Sequence, residues 1–362
     1  MSPEKRPWRV EIIGGGLIGT SIALKVAKLG GKVRVYDLNK AHERVAQQLV
    51  GSALLAPSEP ADISVIATPV DSLADVIFEQ LIQNPEQIVI DTGSIKTKVI
   101  VDVWTNLERK SRQSEFGRFV PTHPMAGREL SGPDGARSDL FEGRAWAITP
   151  HDQQAPEALA AARQLIEELG ATVYTMSPAE HDRQVAMTSH LPQLLSSALA
   201  SVLTEPLDLA GAALRDMTRI AHSEPSMWQP IFEGNSDALA PLVEKIVKSI
   251  NTFTNKKFDG DDVKFLMEAG REGASKVPGK HGGIRRNYAL LSVVIPDAPG
   301  QLARLFNHCA DAKINIEDLR IEHSPGQETG LITLFVNPGD LSTLNNYLST
   351  RGWQATALEK EV

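Results

Sequence analysis

Apolar positions fall first into short runs separated by helical spacing, then into a long helical stretch, then into alternation again. Residues 9–13 are a short β-rich run, 17–29 carry helical spacing, and 32–36 alternate, which makes one βαβ unit. Residues 63–67 and 87–90 read as buried strands separated by a helical stretch at 71–82, and this alternation implies a parallel sheet. Later strands are expected at 119–121, 145–149 and 172–175, with a helix over 156–169. The first domain, Rossmann-like α/β, is therefore placed at 1–176. From 177 to 275 the periodicity is helical with few β-rich runs, which predicts an all-helical domain. The stretch 270–286 is rich in Gly, Lys and Arg and contains Pro278, so it reads as exposed, with the linker proper at 276–286. Beyond it a strand (288–295), a helix (299–312), a strand pair (314–323 and 330–336) and a second helix (341–351) follow in βαββα order. That order predicts a small α+β domain over 287–362.

A chain of 362 residues exceeds what one core usually organises, in keeping with two or three domains. Hydrophobic residues at 42%, charged residues at 23% and a mean hydropathy of -0.17 argue against disorder and membrane spans. The net charge of -8 leaves no basic surplus to neutralise phosphates, so nucleic acid is not an expected partner. The one cysteine, Cys309, excludes an internal disulfide and a Cys-based zinc cluster, and its place on a predicted helix suits packing; no metal is expected. Residues 1–8 are polar and glycines soon interrupt the apolar run after them, unlike a signal peptide, so cytoplasmic residence is the expectation.

Candidate chemistry begins at Gly14-Gly15-Gly16-Leu17-Ile18-Gly19, between the first strand and the first helix. Gly14 permits the tight turn, Gly16 lets a pyrophosphate approach the backbone, and Gly19 lets helix and sheet pack closely, with Leu17 and Ile18 opening the helix. Asp37 ends the second strand where the fingerprint expects a carboxylate for a ribose 2′-hydroxyl, which favours NAD over NADP, although Lys40 lies near. Thr68, just past the third strand, is assigned to the same cofactor site. Ser94, in Asp91-Thr92-Gly93-Ser94-Ile95-Lys96, serves either as a helix N-cap or in catalysis, while Lys96 and Lys98 read as solvated helix charges. His123 stands where an apolar strand stops and Pro124 and Gly127 force a loop, on the ligand side of the sheet, where it can take a proton. His190, in Ser189-His190-Leu191-Pro192-Gln193, is either a satisfied core histidine or a site residue. Arg219 sits among apolar neighbours in sequence and needs a carboxylate, either Asp216 or a substrate's.

These motifs, in this order, resemble the prephenate and arogenate dehydrogenases of tyrosine biosynthesis. The resemblance rests on the glycine loop, Gly-Ser-Ile-Lys at 93–96, His-Pro-Met-Ala-Gly at 123–127, Ser-His-Leu-Pro-Gln at 189–193, and Asp-Met-Thr-Arg-Ile-Ala at 216–221 with Ser226-Met227-Trp228. The segment with Asp297-Ala298-Pro299-Gly300-Gln301-Leu302 and Ile314-Asn315-Ile316 resembles an ACT domain, a module that often binds amino acids. The resemblance implies oxidative decarboxylation of prephenate with NAD. His123 then deprotonates the 4-hydroxyl, Ser94 supports His123 by hydrogen bonding, Arg219 holds a carboxylate, and His190, Trp228 and Asp216 line the substrate pocket. It further implies a homodimer formed by the helical domain and a tyrosine effector on the C-terminal domain. Arogenate is the alternative substrate. A β-hydroxyacid dehydrogenase and a non-catalytic regulator that binds NAD and an amino acid are the more distant readings.

Overall fold

The computed structural model describes residues 6–127, 132–255, 258–277, 288–323 and 329–358. The chain divides into two compact units, Met1–Lys248 and Ser249–Val362. The first unit is built on a five-stranded parallel sheet in the order β2-β1-β3-β4-β5, with β1 at Arg9–Ile13, β2 at Lys32–Tyr36, β3 at Ile63–Ile66, β4 at Ile88–Asp91 and β5 at Phe119–Val120. Every residue of β3 is buried, as expected for a central strand covered on both faces. Alternation along the strands divides the interior into two cores: Val89 and Phe119 pack with Leu73, Ile77 and Val103, whereas Ile90 and Val120 pack with Ile22, Val26 and Leu165. Helices α3 (Val70–Gln83) and α4 (Thr97–Arg109) therefore cover one face, and α1 (Leu17–Lys28), α2 (Lys40–Val50) and α5 (Pro156–Glu168) the other. Strand β1 pairs with β2 on one side and β3 on the other. The connections thus reverse direction at β1, and the crevice beyond the carboxyl ends of β1 and β3 is where such sheets bind ligands.

The expected strand at 119–121 divides at its proline. Pro121 has no N–H to continue the ladder on β4, and its carbonyl accepts from Thr149 instead (2.9 Å). The chain then enters a second, three-stranded sheet in the order β6-β7-β8, comprising Thr122–Pro124, Ala145–Ile148 and Thr172–Thr175. His123 is therefore not at the end of the β5 strand, as the sequence suggests, but central in a new strand, β6, opposite Ala147 of β7.

Beyond Ser177 the chain is helical. α6 (Pro178–Val185) passes through a π-turn at Ala186–His190 directly into α7 (Leu191–Ser201). Leu191 donates to the carbonyl of Ala186, and the next residue, Pro192, has no hydrogen with which to restore the α ladder. α8 (Ala212–Thr218), a 3-10 turn at Arg219–His222 and α9 (Pro225–Gly234) follow, and the boundary between the units falls within α10 (Ser236–Asn255).

In the second unit α11 (Gly260–Ser275) runs through the first residues of the expected exposed stretch, so Gly270 and Gly273 are helical; residues 278–286 of the expected linker lie outside the described residues. The good helix formers around these glycines, with Lys276 bonded to Glu272 one turn back (2.9 Å), outweigh about 1 kcal/mol per glycine. The C-terminal part is a four-stranded antiparallel sheet in the order β10-β11-β9-β12, made of β9 (Ala289–Pro296), β10 (Asp318–His323), β11 (Thr329–Val336) and β12 (Gln354–Leu358). Helices α12 (Gln301–Asp311) and α13 (Leu341–Ser349) pack on its Leu291, Val293, Ile332 and Leu334 face. The order is βαββαβ rather than βαββα, because β12 is short and carries two alanines that give little β signal. Cys309 is buried in this core, and burial pushes its thiol up to about 11. Among the described residues no helix is long and apolar enough to cross a membrane.

Candidate active site

The loop after β1 has the geometry of an anion cradle. Gly14 has φ +110°, and a Cβ there would lie 2.3 Å from the Ala67 carbonyl oxygen of the adjacent β3 loop. At Gly19 a Cβ would meet the Gly14 oxygen at 2.0 Å, so only glycine lets α1 start against this turn. Gly16 is different: nothing lies within 4 Å of its missing Cβ, and that open side faces no protein atom. Gly16 also caps α1 without a side-chain bond, and no acidic residue stands in the first turn with Leu17 and Ile18. Free N–H groups at such a helix start attract phosphate. Asp37, at the end of β2, accepts from the Gly15 N–H (2.7 Å) and the Asn39 N–H (2.7 Å). Lys40 is held by Glu43 (2.8 Å) and the Asp37 carbonyl (3.1 Å), which settles its local charge on a carboxylate of the protein. The Thr68 hydroxyl, beside Ala67, is buried and has no partner in the protein. An unpartnered hydroxyl, open cradle and carboxylate together fit a dinucleotide.

Beneath the carboxyl ends of β4 and β6 lies a buried charge pair whose lysine the sequence places in solvent. Lys96 is fully buried, its ammonium bonded to the Asp91 carboxylate and to the Thr122 carbonyl (2.7 Å). Asp91 also accepts from the N–H groups of Thr122 (2.9 Å) and Gly93 (2.9 Å). The Thr122 hydroxyl takes the Trp146 indole N–H (2.9 Å), which locks β6 in place. Burial lowers the Lys96 pKa, and the Asp91 charge opposes that shift. Lys98 does behave as a surface charge, paired with Asp102 at 2.6 Å.

His123 is joined to a chain of buried polar groups. Its Nδ1 lies 2.9 Å from His181 Nε2, and His181 Nδ1 lies 2.9 Å from Asp182 Oδ1. The same carboxylate caps α4 from outside, accepting from the N–H of Lys96 (2.9 Å) and of Thr97 (2.8 Å). Ser94 is consequently not the cap. Nor does it make the bond to His123 that the resemblance implies: its hydroxyl is buried without a protein partner. Burial, reinforced by His181, Lys96 and His190, holds the His123 pKa well below the ordinary histidine value, so the ring is neutral near pH 7. Burial alone would raise the Asp182 carboxyl, but the bonds from His181, Thr97 and Lys96 outweigh it and keep it below the usual range.

His190, at the end of the π-turn, is buried, and burial pushes its pKa down to about 4. Asn235 links it to the same cluster: its amide nitrogen donates to the Asp182 carbonyl (2.8 Å) and stands 3.1 Å from His190 Nδ1. Trp228 packs edge-on against His190, and its indole N–H is buried without a protein partner. Gln193 donates to the Ile220 carbonyl (3.0 Å) and so ties the turn carrying Arg219 to α7. Arg219 itself, expected among apolar side chains, is exposed, as is Asp216, because α8 and the 3-10 turn lie at the surface of this chain.

The structure thus brings His123 and His190 into one network and adds His181, Asp182, Asn235 and Lys96, which sequence reasoning missed. No local signal marked them: Ser94 stands where a cap is expected, and only the structure shows that the first N–H groups of α4 take their acceptor from Asp182.

The chain is similar to known proteins over most of its length. The family model for the prephenate dehydrogenase nucleotide-binding domain matches residues 22–175, and that for the prephenate dehydrogenase dimerization domain matches 177–266. A Streptomyces niveus protein named probable prephenate dehydrogenase NovF is 29% identical over 96% of this chain and 99% of its own. Cyclohexadienyl dehydrogenase of Zymomonas mobilis is 30% identical over 73% of this chain and 92% of its own. Among solved structures, prephenate dehydrogenase from Aquifex aeolicus, in complex with hydroxyphenyl propionate and NAD+, has a TM-score of 0.65 and 27% identity, covering 75% of this chain and 99% of that one.

Proposed function

The chain belongs to the prephenate dehydrogenase family, and from that premise we propose that it carries out the NAD-dependent oxidative decarboxylation of prephenate to 4-hydroxyphenylpyruvate. It has a Rossmann-like nucleotide-binding domain followed by a helical dimerisation domain, and NAD is its cofactor. NAD, when bound, supplies the hydride acceptor for the ring carbon that bears the 4-hydroxyl. Gly14, Gly16, Leu17, Ile18 and Gly19 hold the pyrophosphate, Asp37 the ribose, and Thr68 offers its hydroxyl nearby. His123, neutral and therefore able to accept, takes the hydroxyl proton as that carbon loses its hydride; carbon dioxide then leaves, the electrons of its bond to the ring complete the aromatic system, and the ring oxygen takes the proton back from His123. The observation that carries this reading is a neutral histidine oriented by a buried hydrogen-bonded chain, in a protein whose β1 loop forms a cradle fit for a dinucleotide.

Ser94 and Trp228, whose polar atoms lack protein partners, supply donors to substrate or nicotinamide, and His190 lines the same pocket. Arg219 binds a substrate carboxylate in the homodimer, with Asp216 at the pocket rim. Leu195, Leu209 and Met217, exposed on the helical part, support the assembly. Residues 1–176 form the nucleotide domain, 177–275 the substrate and dimerisation domain, and 287–362, after a linker at 276–286, an ACT domain that binds tyrosine and lowers the rate. The βαββαβ sheet supports that assignment.

The reading is tested by following NADH formation from prephenate, arogenate and a β-hydroxyacid in parallel. Turnover of prephenate is expected; turnover of arogenate alone would move the assignment to that substrate, and turnover of neither would overturn it. Arg219→Gln raises KM for prephenate, and an unchanged KM would return Arg219 to a structural role. Calorimetry of the full chain with tyrosine is expected to show binding, and tyrosine to lower the rate, with any coupling reciprocal in binding terms; the absence of both effects would remove the regulatory claim.

A further inference from the structure

We infer that Asp182 fixes the tautomers of both site histidines in opposite senses, leaving His123 with a bare Nε2 and His190 with a protonated one. Asp182 does this with two different groups. Its carboxylate, already accepting from the N–H groups of Lys96 and Thr97, can only accept from His181. His181 Nδ1 therefore carries a hydrogen, and in a neutral His181 the Nε2 lone pair is what faces His123 Nδ1. The His123 Nδ1 must then donate, and its Nε2 is left as an acceptor. The second chain starts at the Asp182 backbone carbonyl, which also can only accept. It turns the Asn235 amide so that its nitrogen faces the carbonyl, and the second hydrogen on that nitrogen faces His190 Nδ1. His190 Nδ1 is thereby the acceptor, and its remaining hydrogen sits on Nε2.

One imidazole is thus poised to take a proton and the other to give a hydrogen bond, although both are neutral. A pocket with one acceptor and one donor discriminates the two ends of a hydroxylated ring in a way that two freely flipping imidazoles would not. His181, Asp182 and Asn235 are positioning residues, acting only through His123 and His190. The consequence for turnover rests on the proposed dehydrogenase reaction; the tautomers themselves do not.

The test is nitrogen NMR on full-length protein labelled at its nine histidines, in which protonated and bare ring nitrogens resonate far apart. His123→Asn and His190→Gln serve to assign the two rings. At neutral pH, without substrate, His123 is expected to be protonated at Nδ1 and His190 at Nε2. Either ring found in the other form, or His181 found doubly protonated, overturns the inference even if prephenate is turned over. In His181→Leu the His123 tautomer is released, and kcat falls by roughly 10-fold or more while KM and the Kd for NAD stay within about 2-fold. His181→Gln, which can accept and donate at once, restores most of the loss. An unchanged His123 tautomer and kcat in His181→Leu would contradict the relay. The tautomers are read from the unmodified protein, and should either assigning variant fail to fold, His123→Gln or His190→Asn assigns the same ring, so the inference stays testable.

Discussion

Replacing Lys96 with Met removes the only charge opposite the buried Asp91 carboxylate among the bonds described at that site. Side-chain volume is nearly kept, so the perturbation is electrostatic rather than steric. Breaking one partner of a buried pair costs about 3–5 kcal/mol, because the other charge is left without compensation. Asp91 keeps two backbone donors, Thr122 and Gly93, which places the expected loss near the lower end, about 3 kcal/mol. The Thr122 carbonyl also loses a donor, roughly another 1 kcal/mol. A total near 4 kcal/mol is a large part of the roughly 5–15 kcal/mol that holds a domain folded. Urea unfolding of the Lys96→Met, Asp91→Asn and double variants, followed by tryptophan fluorescence, measures it. The double variant is expected to cost less than the two single changes together, by about 2 kcal/mol, since it leaves no orphan charge. If Lys96→Met unfolded within about 0.5 kcal/mol of the unmodified protein, as a surface lysine would, the buried pair would be refuted.

Three further outcomes follow from the same geometry. Gly19→Ala forces a Cβ to within 2.0 Å of the Gly14 oxygen, so it is expected to weaken NAD binding by at least about 10-fold and to lower stability by about 1–3 kcal/mol, read by fluorescence titration and urea unfolding. Asp37→Asn keeps the acceptor for the Gly15 N–H but removes the charge that repels a 2′-phosphate; the ratio of NADP to NAD affinity should rise by about 10-fold, and no rise would take Asp37 out of cofactor selection. Acidification reports on His190: with a pKa of about 4 in the folded chain against 6.5 ordinarily, the unfolded chain takes up its proton first as pH falls. Its contribution is complete above about pH 6.5 and is lost toward pH 4, amounting to about 2 kcal/mol by pH 5, so His190→Gln should show that much less loss over the same range.

Elements set by local periodicity were legible in the sequence. The strands at 32–36 and 172–175 match β2 and β8 at both ends, and the glycine loop sits between β1 and α1 as its spacing requires. What escaped was tertiary. Lys96 looks like any lysine at a helix start, and only the approach of Asp91 and Thr122, the latter 26 residues away, removes it from water. His181 and Asp182 lie in a polar helix segment whose pattern gives no hint that it closes on β6, 58 residues earlier. Pro121 was placed inside the expected strand, and whether a chain leaves a sheet there to loop or to join another depends on a partner such as β7, which one strand cannot announce. Arg219 erred in the opposite direction: apolar neighbours in sequence do not bury a side chain that stands at the end of a surface helix.

The measurement closest to the central claim is the rate of NADH formation from prephenate by the unmodified protein and by His123→Asn, with NAD affinity determined on both. A base poised as His123 is contributes roughly 10²–10⁴-fold, so kcat should fall by at least about 100-fold while the Kd for NAD stays within about 2-fold. Equal turnover by the two proteins would contradict the account.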